Sequence, residues 1–310
     1  AGFVSCRSCG EVMKCPHCDV SLSEHKGGRL ICHYCGYTQP MPKLCPKCGS
    51  KYILGFKAGT QQIEEKLKEL YPGVRTLRMD ADTTRTKESY EKILSSFANG
   101  EADVLIGTQM IVKGHDFPKV TLVGILAADL SLNASDYRAG ERTFQLLTQA
   151  VGRAGRGVLP GEAVIQTYQP DHYAITCAAA QDYESFYQEE ILYRELSGYP
   201  PVAHMLAVQI YGKEEENVKQ LALRLTDVVK SNMDFLSGKQ KEQSNKKIQV
   251  LGPAPANISK INDIYRYVFY VKHAEYDVLV EVKDRLEETL RQWQPRQMRI
   301  QFDFDPVSVL

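Results

Sequence analysis

The stretch Gln149-Ala-Val-Gly-Arg-Ala-Gly-Arg156 follows a run of residues with helical spacing and leads directly into Gly157. Its two arginines are three residues apart, a spacing that places both guanidinium groups on one face of a helix. The small residues between them allow the backbone to approach another surface closely. Because a guanidinium binds phosphate oxygens in a bidentate manner and keeps its charge, the stretch predicts a contact with a triphosphate. The alternative is a glycine-weakened helix end with two solvated arginines.

A second stretch, Ile106-Gly-Thr-Gln-Met-Ile-Val-Lys-Gly-His-Asp-Phe-Pro118, favours the phosphate interpretation. A strand-like run over residues 103–106 breaks here into a loop with two glycines, and another apolar run follows over residues 120–126. In parallel α/β sheets, ligands bind at the carboxyl ends of the strands, which is where Gly107 and Thr108 fall. The stretch therefore predicts a ligand-binding loop at this edge of a sheet.

Residues 51–170 alternate between strand and helix patterns, which predicts an α/β lobe with a parallel sheet and helices on both faces. Thr60 and Thr86 are expected to cap the first two helices, because a threonine hydroxyl accepts hydrogen bonds from the first helical N–H groups. The expected strands lie at residues 52–57, 74–79, 103–106, 120–126 and 163–168.

Residues 1–50 contain all but one of the nine cysteines, arranged as four Cys-x-x-Cys pairs. A Cys-x-x-Cys turn, or knuckle, places two sulfurs on one side, and two knuckles form the four-sulfur shell of a structural zinc ion. Four knuckles therefore predict two zinc ions, and four cysteine ligands per ion leave no open position for catalysis. A disulfide framework is typical of small secreted proteins instead, and a redox dithiol would explain only one knuckle.

We predict a nested pairing of the knuckles, since only five residues separate Cys9 from Cys15, which is short for joining the first two knuckles on one ion. The outer cluster is then Cys6, Cys9, Cys45 and Cys48. The inner cluster is Cys15, Cys18, Cys32 and Cys35. Cys177 stands alone in an apolar stretch and is expected to be a small buried hydrophobic residue.

Residues 171–200 have helical spacing and form a predicted linker that ends at Gly198-Tyr-Pro-Pro201. Beyond it, the patterns follow the order β-α-β-β-α-β, which predicts an α+β domain over residues 201–310. Its expected strands lie at residues 203–211, 248–251, 265–272 and 298–303, its helices at 214–235 and 275–293, and a solvated loop at 238–247.

Composition limits the alternatives. The 310 residues are 43% hydrophobic and 25% charged, which is enough apolar content for two or three ordinary cores. No apolar run reaches the roughly eighteen residues that a membrane span needs, so we expect a cytoplasmic protein without membrane contact. The formal net charge is zero, so any contact with DNA must be local. The beginning, Ala1-Gly-Phe-Val with Cys6 close behind, indicates a piece of a longer polypeptide.

With Asp136-Tyr-Arg-Ala-Gly-Glu-Arg142 between them, the first two stretches resemble the second motor lobe of a superfamily 2 helicase, with a RecA-like parallel sheet. The cysteine array and a C-terminal segment that contains Gly252-Pro-Ala-Pro-Ala256 extend the likeness. The whole chain resembles the C-terminal part of the bacterial replication-restart DNA helicases, the primosomal protein N prime family. The resemblance also agrees with the nested zinc pairing.

For the nucleotide, the resemblance implies an ATP-dependent helicase that uses ATP and Mg²⁺. It implies that Arg156 is the arginine finger and that Arg153 is a second γ-phosphate contact. Gln149 would be a positioning residue, while Gly114 and Asp116 would face the nucleotide.

For DNA, the resemblance implies that Thr108 and Lys113 contact the nucleic acid and that the C-terminal domain binds it. Strand alternation over residues 265–272 puts one set of side chains in the core and the other toward solvent. The predicted core set is Tyr265, Tyr267, Phe269 and Val271. The predicted solvent set is Arg266, Val268, Tyr270 and Lys272. From the solvent set and the nearby lysine we predict DNA contacts by Lys260, Arg266, Tyr270 and Lys272.

The family further implies branched forks and single strands as the DNA, with primosome and single-stranded-DNA-binding proteins as partners. The sequence departs from that of an intact helicase motor in two respects. The sequence has neither a Gly-Lys-Thr/Ser phosphate loop nor an acidic magnesium motif, so the resemblance places both upstream, and the chain alone should not hydrolyse ATP. In addition, Ala127 stands where relatives tend to carry an acidic residue.

Two other classes stay open at this point. A zinc-dependent nucleic-acid-binding or scaffold module without motor function explains the cysteines but not the two phosphate-facing stretches. A helicase-like lobe of an RNA or chromatin remodelling enzyme generally lacks a double zinc array directly before the lobe.

Overall fold

The computed structural model describes residues 4–6, 8–25, 28–55, 59–80, 83–84, 86–112, 117–132, 136–157, 159–231 and 247–307. The chain divides into two compact units. One consists of Ala1–Gly2 and Gly55–Glu190, and the other of Phe3–Leu54 together with Ile191–Leu310. The cysteine-rich segment therefore belongs to the same unit as the C-terminal segment. The four-part division that we predicted from the sequence stays a prediction.

Five short strands form the cysteine-rich segment, namely β1 (Val4–Cys6), β2 (Ser23–His25), β3 (Arg29–Ile31), β4 (Thr38–Pro40) and β5 (Ile53–Gly55). Strands β2, β3 and β4 form an antiparallel sheet, while β1 pairs with β5. The run at 52–57 was expected in the parallel sheet of the lobe, and its described part pairs with β1 instead. Buried apolar side chains pack among the cysteines and make a small core, chiefly Val4, Met13, Leu22, Leu30 and Ile53.

The other unit has the expected alternation of helices and strands. Its elements are α1 (Thr60–Leu70), β6 (Thr76–Met79), α2 (Lys87–Ala98), β7 (Val104–Gly107), a 3-10 turn (Gln109–Val112), β8 (Leu122–Ile125), α3 (Asp129–Leu132), α4 (Ala139–Val151), β9 (Glu162–Ile165), α5 (Tyr173–Ala180) and the start of α6 (Tyr183–Ser197). Strands β6 and β7 pair in parallel, as do β8 and β9. The predicted α/β class with parallel strands is confirmed.

The two predicted helix caps have different outcomes. Thr86 caps α2, because its hydroxyl accepts the Ser89 N–H at 3.2 Å and the Ser89 hydroxyl in return accepts the Thr86 N–H at 3.3 Å. The cap predicted at Thr60 is wrong, since Gly59 occupies the N-cap position of α1. The Thr60 hydroxyl instead donates to Asp80 at 2.5 Å, which ties the start of the helix to the end of β6.

The C-terminal segment folds in the predicted β-α-β-β-α-β order. Its elements are β10 (His204–Gly212), α7 (Glu215–Ser231), β11 (Gln249–Ile261), β12 (Ile264–His273), α8 (Tyr276–Trp293) and β13 (Met298–Phe304). The sheet order is β11-β12-β10-β13, and all neighbours are antiparallel. Both helices pack on one face of the sheet, and the core between them includes the fully buried Leu206 of β10, Phe269 of β12 and Leu286 of α8. Most of the predicted loop at 238–247 lies outside the described residues.

Strand β11 is much longer than the predicted strand at 248–251. It forms a hairpin with β12, and the connecting turn has only two residues, Asn262 and Asp263. Both turn residues have positive φ angles, 50° and 59°, as a type I′ hairpin turn requires. The C-terminal domain therefore carries a long, tightly closed hairpin.

The faces of β12 are only partly as predicted. Tyr267, Phe269 and Val271 are buried beneath the helices, in agreement with the prediction. Val268 and Lys272 are buried as well, so the opposite face is covered at these positions and the prediction that they face solvent is wrong.

Among the residues that the structure describes, no helix is long and apolar enough to cross a membrane.

Candidate functional site

The four knuckles come together in the predicted nested pairs. The sulfurs of the outer cluster lie within 4.8 Å of one another, and so do those of the inner cluster. Each cluster joins two knuckles that are separated in sequence, and five of the eight cysteines are buried. The nested arrangement of the ligands is therefore confirmed.

The sulfur spacing fits zinc. The Sγ–Sγ distance is 3.7 Å from Cys6 to Cys48, 3.7 Å from Cys9 to Cys45, and 3.6 Å from Cys15 to Cys35. A tetrahedral shell with Zn–S bonds of about 2.3 Å has sulfurs roughly 3.8 Å apart, whereas a disulfide needs about 2.05 Å. Both clusters can thus hold a structural zinc ion, and four thiolates leave no position for a reacting water.

Backbone N–H groups stabilise the thiolate form that binds metal. Burial raises the pKa of the Cys6 thiol, but hydrogen bonds from the N–H groups of Cys9 and Ser8 and from neighbouring thiols together lower the pKa to about 6. The same balance operates at Cys32, where backbone N–H donors and neighbouring thiols together outweigh burial and the pKa falls to about 7. One thiol of each cluster is therefore ready to lose its proton near neutral pH.

The arginine segment, residues 149–156, lies at the end of α4. The helix ends at Val151 with Gly152 as its C-cap, so Arg153 and Arg156 fall in the turns that follow. The prediction that the two arginines share a helical face is wrong, because the N–H groups of Arg153 and Ala154 close tighter turns to residues three positions back. Gln149 is exposed on the last turn of the helix.

The guanidinium groups are anchored to backbone carbonyls. Arg153 donates from Nε and Nη2 to the Val112 oxygen, at 3.1 and 2.6 Å. Arg156 is exposed, and its Nε donates to the Gly152 oxygen at 2.6 Å. Arg153 therefore holds the end of the 3-10 turn, directly before residues 113–116. These four residues, which include the predicted sites Lys113, Gly114 and Asp116, lie outside the described residues.

Glycines allow this segment to approach its surroundings closely. A Cβ on Gly157 would lie 2.0 Å from the Pro118 oxygen, and one on Gly161 would lie 2.0 Å from the Gly155 nitrogen. The Gly155 N–H also donates to the Val120 oxygen at 3.0 Å. The close backbone approach predicted from the sequence is present, and it holds the segment against its own lobe.

The strand end at β7 is equally tight. A Cβ on Gly107 would lie 2.5 Å from the Ile111 side chain and 2.7 Å from the Met79 oxygen, so a larger residue would push β6 and the 3-10 turn apart. Thr108 follows it, is exposed, and accepts the Ile111 N–H on its carbonyl at 3.1 Å. The hydroxyl of Thr108 thus sits on a rigid strand-to-turn corner.

The predicted cations of the C-terminal domain do not form one solvent face. Lys272 Nζ donates to the Ser197 oxygen at 2.6 Å and lies 4.2 Å from the Tyr199 ring, and burial lowers the pKa of its ammonium. Lys260 Nζ donates to the Pro16 oxygen at 2.9 Å. Arg266 and Tyr270 are half-buried. Lys260 is also half-buried, so three of the four predicted residues keep partial exposure and Lys272 alone of the four is buried.

Sequence reasoning missed the residues that join the hairpin to the inner cluster. They are Pro16, His17, Asp19, Ser259, Asn262 and Asp263. One signal was present, because two turn-forming residues between Ile261 and Ile264 are typical of a hairpin. The partner of that hairpin could not be read from the sequence, since the contacts join residues about 244 positions apart.

The lobe and the metal clusters together define a class, a helicase-type second lobe with an attached double-zinc module. Three family models match the chain: "Helicase conserved C-terminal domain" over residues 44–158, "PriA DNA helicase Cys-rich region (CRR) domain" over 15–40, and "Primosomal protein N C-terminal domain" over 195–307. Along the chain, the match to the Cys-rich region comes first, the helicase match second and the C-terminal match last. The cysteine-rich segment, the lobe and the C-terminal segment of the structure follow in the same order.

Curated relatives give the particular family. The chain is 42% identical to the replication restart protein PriA of Bacillus subtilis (strain 168), over 100% of this chain and 37% of that protein. It is 40% identical to that of Synechocystis sp. (strain ATCC 27184 / PCC 6803 / Kazusa), over 99% and 36%. It is 42% identical to that of Chlamydia muridarum, over 87% and 35%. The chain belongs to the PriA family, matches its C-terminal part, and spans just over a third of its relatives' length.

Proposed function

We propose that this chain is the C-terminal part of an ATP-dependent DNA helicase of replication restart. It would supply the arginine side of the ATP site, DNA contacts and two structural zinc ions. One observation carries the proposal. The glycines of the arginine segment pack closely against backbone atoms of a lobe that matches the conserved helicase C-terminal domain. A scaffold module without motor function has no need of two arginines held at this position.

In phosphoryl transfer, negative charge on the γ-phosphate must be balanced, and an arginine supplied across a cleft is one means of doing so. Arg156 would be this finger, held at its Nε by Gly152. Arg153 would contact the same phosphate while its bonds to Val112 hold the chain that leads to Gly114 and Asp116. Gln149 would orient the reacting groups. ATP and Mg²⁺ would meet these residues from the other lobe, and the chain alone should not hydrolyse ATP.

For DNA, Thr108 would donate to a backbone phosphate from its rigid corner, and Lys113 would add charge beside it. On the C-terminal domain we retain Arg266 and Tyr270 as contacts, for a phosphate and a base respectively. Lys272 is buried and its ammonium donates to the Ser197 oxygen at 2.6 Å, while the Lys260 ammonium donates to the Pro16 oxygen at 2.9 Å. Both bonds are shorter than the 3.5 Å contact of Arg266 Nη1 with the Ile258 oxygen, which argues against a direct role for the two lysines. Forked and single-stranded DNA, primosome proteins and single-stranded-DNA-binding proteins are the partners that the family implies.

Replacing the finger tests the proposal. In the intact protein, Arg156→Ala should lower DNA-stimulated ATP hydrolysis by about 10³- to 10⁵-fold, because it removes the charge that the arginine finger places on the γ-phosphate in the transition state. The matched control is Arg291→Ala, since Arg291 has a side chain that is 80% exposed, far along α8, and should leave the rate unchanged. A rate within about threefold of wild type for Arg156→Ala would favour the scaffold alternative.

A further inference from the structure

The four knuckles are not closed in the same way. In three of them a glycine with positive φ follows the second cysteine and donates its N–H to the carbonyl of the first, as Gly10 does to Cys6 at 2.9 Å. The other two of this kind are Gly36 to Cys32 and Gly49 to Cys45. In the knuckle of Cys15 and Cys18 the next residue is Asp19, whose N–H donates instead to the Lys260 oxygen at 2.8 Å. This knuckle is therefore closed by the C-terminal hairpin.

The sulfur of Cys18 also depends on the hairpin. In the first knuckle, the second cysteine receives a backbone N–H from Glu11, two residues further along the chain. For Cys18 the backbone donor is Asn262, whose N–H lies 3.2 Å from Sγ. The neighbouring N–H of Asp263 donates to the His17 oxygen at 2.9 Å. The left-handed turn thus directs two successive N–H groups at one knuckle.

Side chains of the hairpin tip, residues 259–263, complete the contact. Lys260 Nζ donates to the Pro16 oxygen at 2.9 Å, and Asp263 Oδ2 lies 2.6 Å from His17 Nδ1. The Ser259 hydroxyl donates to Asp19 Oδ2 at 2.9 Å. Ile261 adds an apolar contact with the core of the cysteine-rich segment. Every residue from Pro16 to Asp19 is therefore bound by the tip.

We propose that the hairpin tip is a built part of the inner metal centre, so that retention of its zinc ion depends on docking of the C-terminal domain. An N–H donor to a metal-bound thiolate offsets its charge and holds its orientation, and such outer contacts are typically worth 10- to 100-fold in metal affinity. The outer cluster receives no contact from the tip among the described residues, so its zinc ion is held without the hairpin. By linkage, the inner ion strengthens docking by the same factor.

Weakening the tip without touching the cysteine-rich segment tests this dependence. In the zinc-loaded 310-residue chain, Lys260→Met with Asp263→Ala removes two side-chain anchors of the tip. After addition of EDTA, N-ethylmaleimide labelling followed by mass spectrometry reports each cysteine separately over time. We expect Cys15 and Cys18 to become reactive at least tenfold faster than in wild type, while Cys45 and Cys48 react at the wild-type rate.

The matched control is the double variant Lys283→Met with Asp284→Ala, which removes a lysine and an aspartate that contact each other at 3.3 Å on α8. It should release both ions at the wild-type rates. Asp263→Asn, which keeps an oxygen for His17, should restore most of the slow release when Lys260 is intact. Equal acceleration at both clusters, or none at the inner one, would overturn the proposal.

Hydrogen exchange gives a second test that needs no variant. In the zinc-loaded chain the amides of Asn262 and Asp263 should exchange at least tenfold more slowly than those of an exposed hairpin turn. Removal of zinc with EDTA should abolish that protection, while the amides of β10, in the middle of the sheet, stay protected. Exchange of the turn amides at the same rate with and without zinc would contradict the coupling.

Discussion

Each cysteine cluster contains a complete set of ligands for its metal ion, whereas the arginine segment contains only a part of the site proposed for it. In each cluster, four sulfurs lie at the spacing of a tetrahedral metal shell. In the arginine segment, Arg153 and Arg156 donate to backbone carbonyls of the same lobe. A cluster therefore specifies its ligand, whereas the arginine segment supplies a charge held at a defined place.

The difference follows from the source of each geometry. A knuckle is made by a few consecutive residues, so local turns set the sulfur positions and a motif in the sequence is enough to predict them. An arginine finger acts across a cleft, and its own lobe needs only to hold it rigidly. In this lobe the rigidity comes from glycine packing, and the motif shows the glycines but not the backbone atoms that they contact.

Loss of one ligand should have the largest effect. Cys32→Ala leaves three sulfurs at the inner cluster. Structural zinc sites reach apparent binding free energies of about 10–16 kcal/mol with a complete shell of four ligands, so we expect the inner ion to be lost when one ligand is missing. Zinc content, measured by atomic emission, should fall from two ions per chain to one or fewer. Cys177→Ala is the matched control, since Cys177 is buried but belongs to neither cluster, and both ions should remain. Two ions retained in Cys32→Ala would contradict the assignment.

Overfilling the glycine contact should have an intermediate effect. In Gly161→Ala the new Cβ would lie 2.0 Å from the Gly155 nitrogen, and such overpacking costs roughly 3 kcal/mol of the free energy of unfolding. Gly124→Ala is the matched control, because no atom lies within 4 Å of a Cβ there, and it should cost less than about 0.5 kcal/mol. Urea unfolding of the two variants measures the difference. Similar stabilities would show that the segment is loosely held.

The smallest effect distinguishes the two cations of β12. Arg266→Gln should reduce the salt dependence of single-stranded DNA binding, with a slope of log K against log salt that is smaller by about 0.7, as expected for one lost phosphate contact. Lys272→Met should leave the slope unchanged, since its ammonium already binds the Ser197 oxygen. Fluorescence anisotropy of a labelled oligonucleotide at several salt concentrations gives both slopes. A reduced slope for Lys272→Met would restore the prediction made from the sequence.

Much of the fold could be predicted because its signals are local. Helical spacing and strand alternation gave the β-α-β-β-α-β order, and the length of loop between knuckles gave the nested clusters. Most of the errors share one physical cause, which is contact between residues distant in sequence. Alternation on β12 placed Lys272 opposite the core correctly, but it could not show that Ser197 and Tyr199 cover that position. The end of α4 was missed because tight turns continue the helical spacing for several residues.

The contact between Asn262 and Cys18 also has a consequence for biosynthesis. The two residues are 244 positions apart, so at about 5–20 residues per second the ribosome makes the hairpin roughly 12 to 50 seconds after the knuckle. During that interval the nascent cysteine-rich segment can load both clusters, but the inner ion is held without its distant amide donor. Zinc would therefore exchange most readily from a half-made chain, and arrival of the hairpin would mark the point at which the inner ion becomes locked in place.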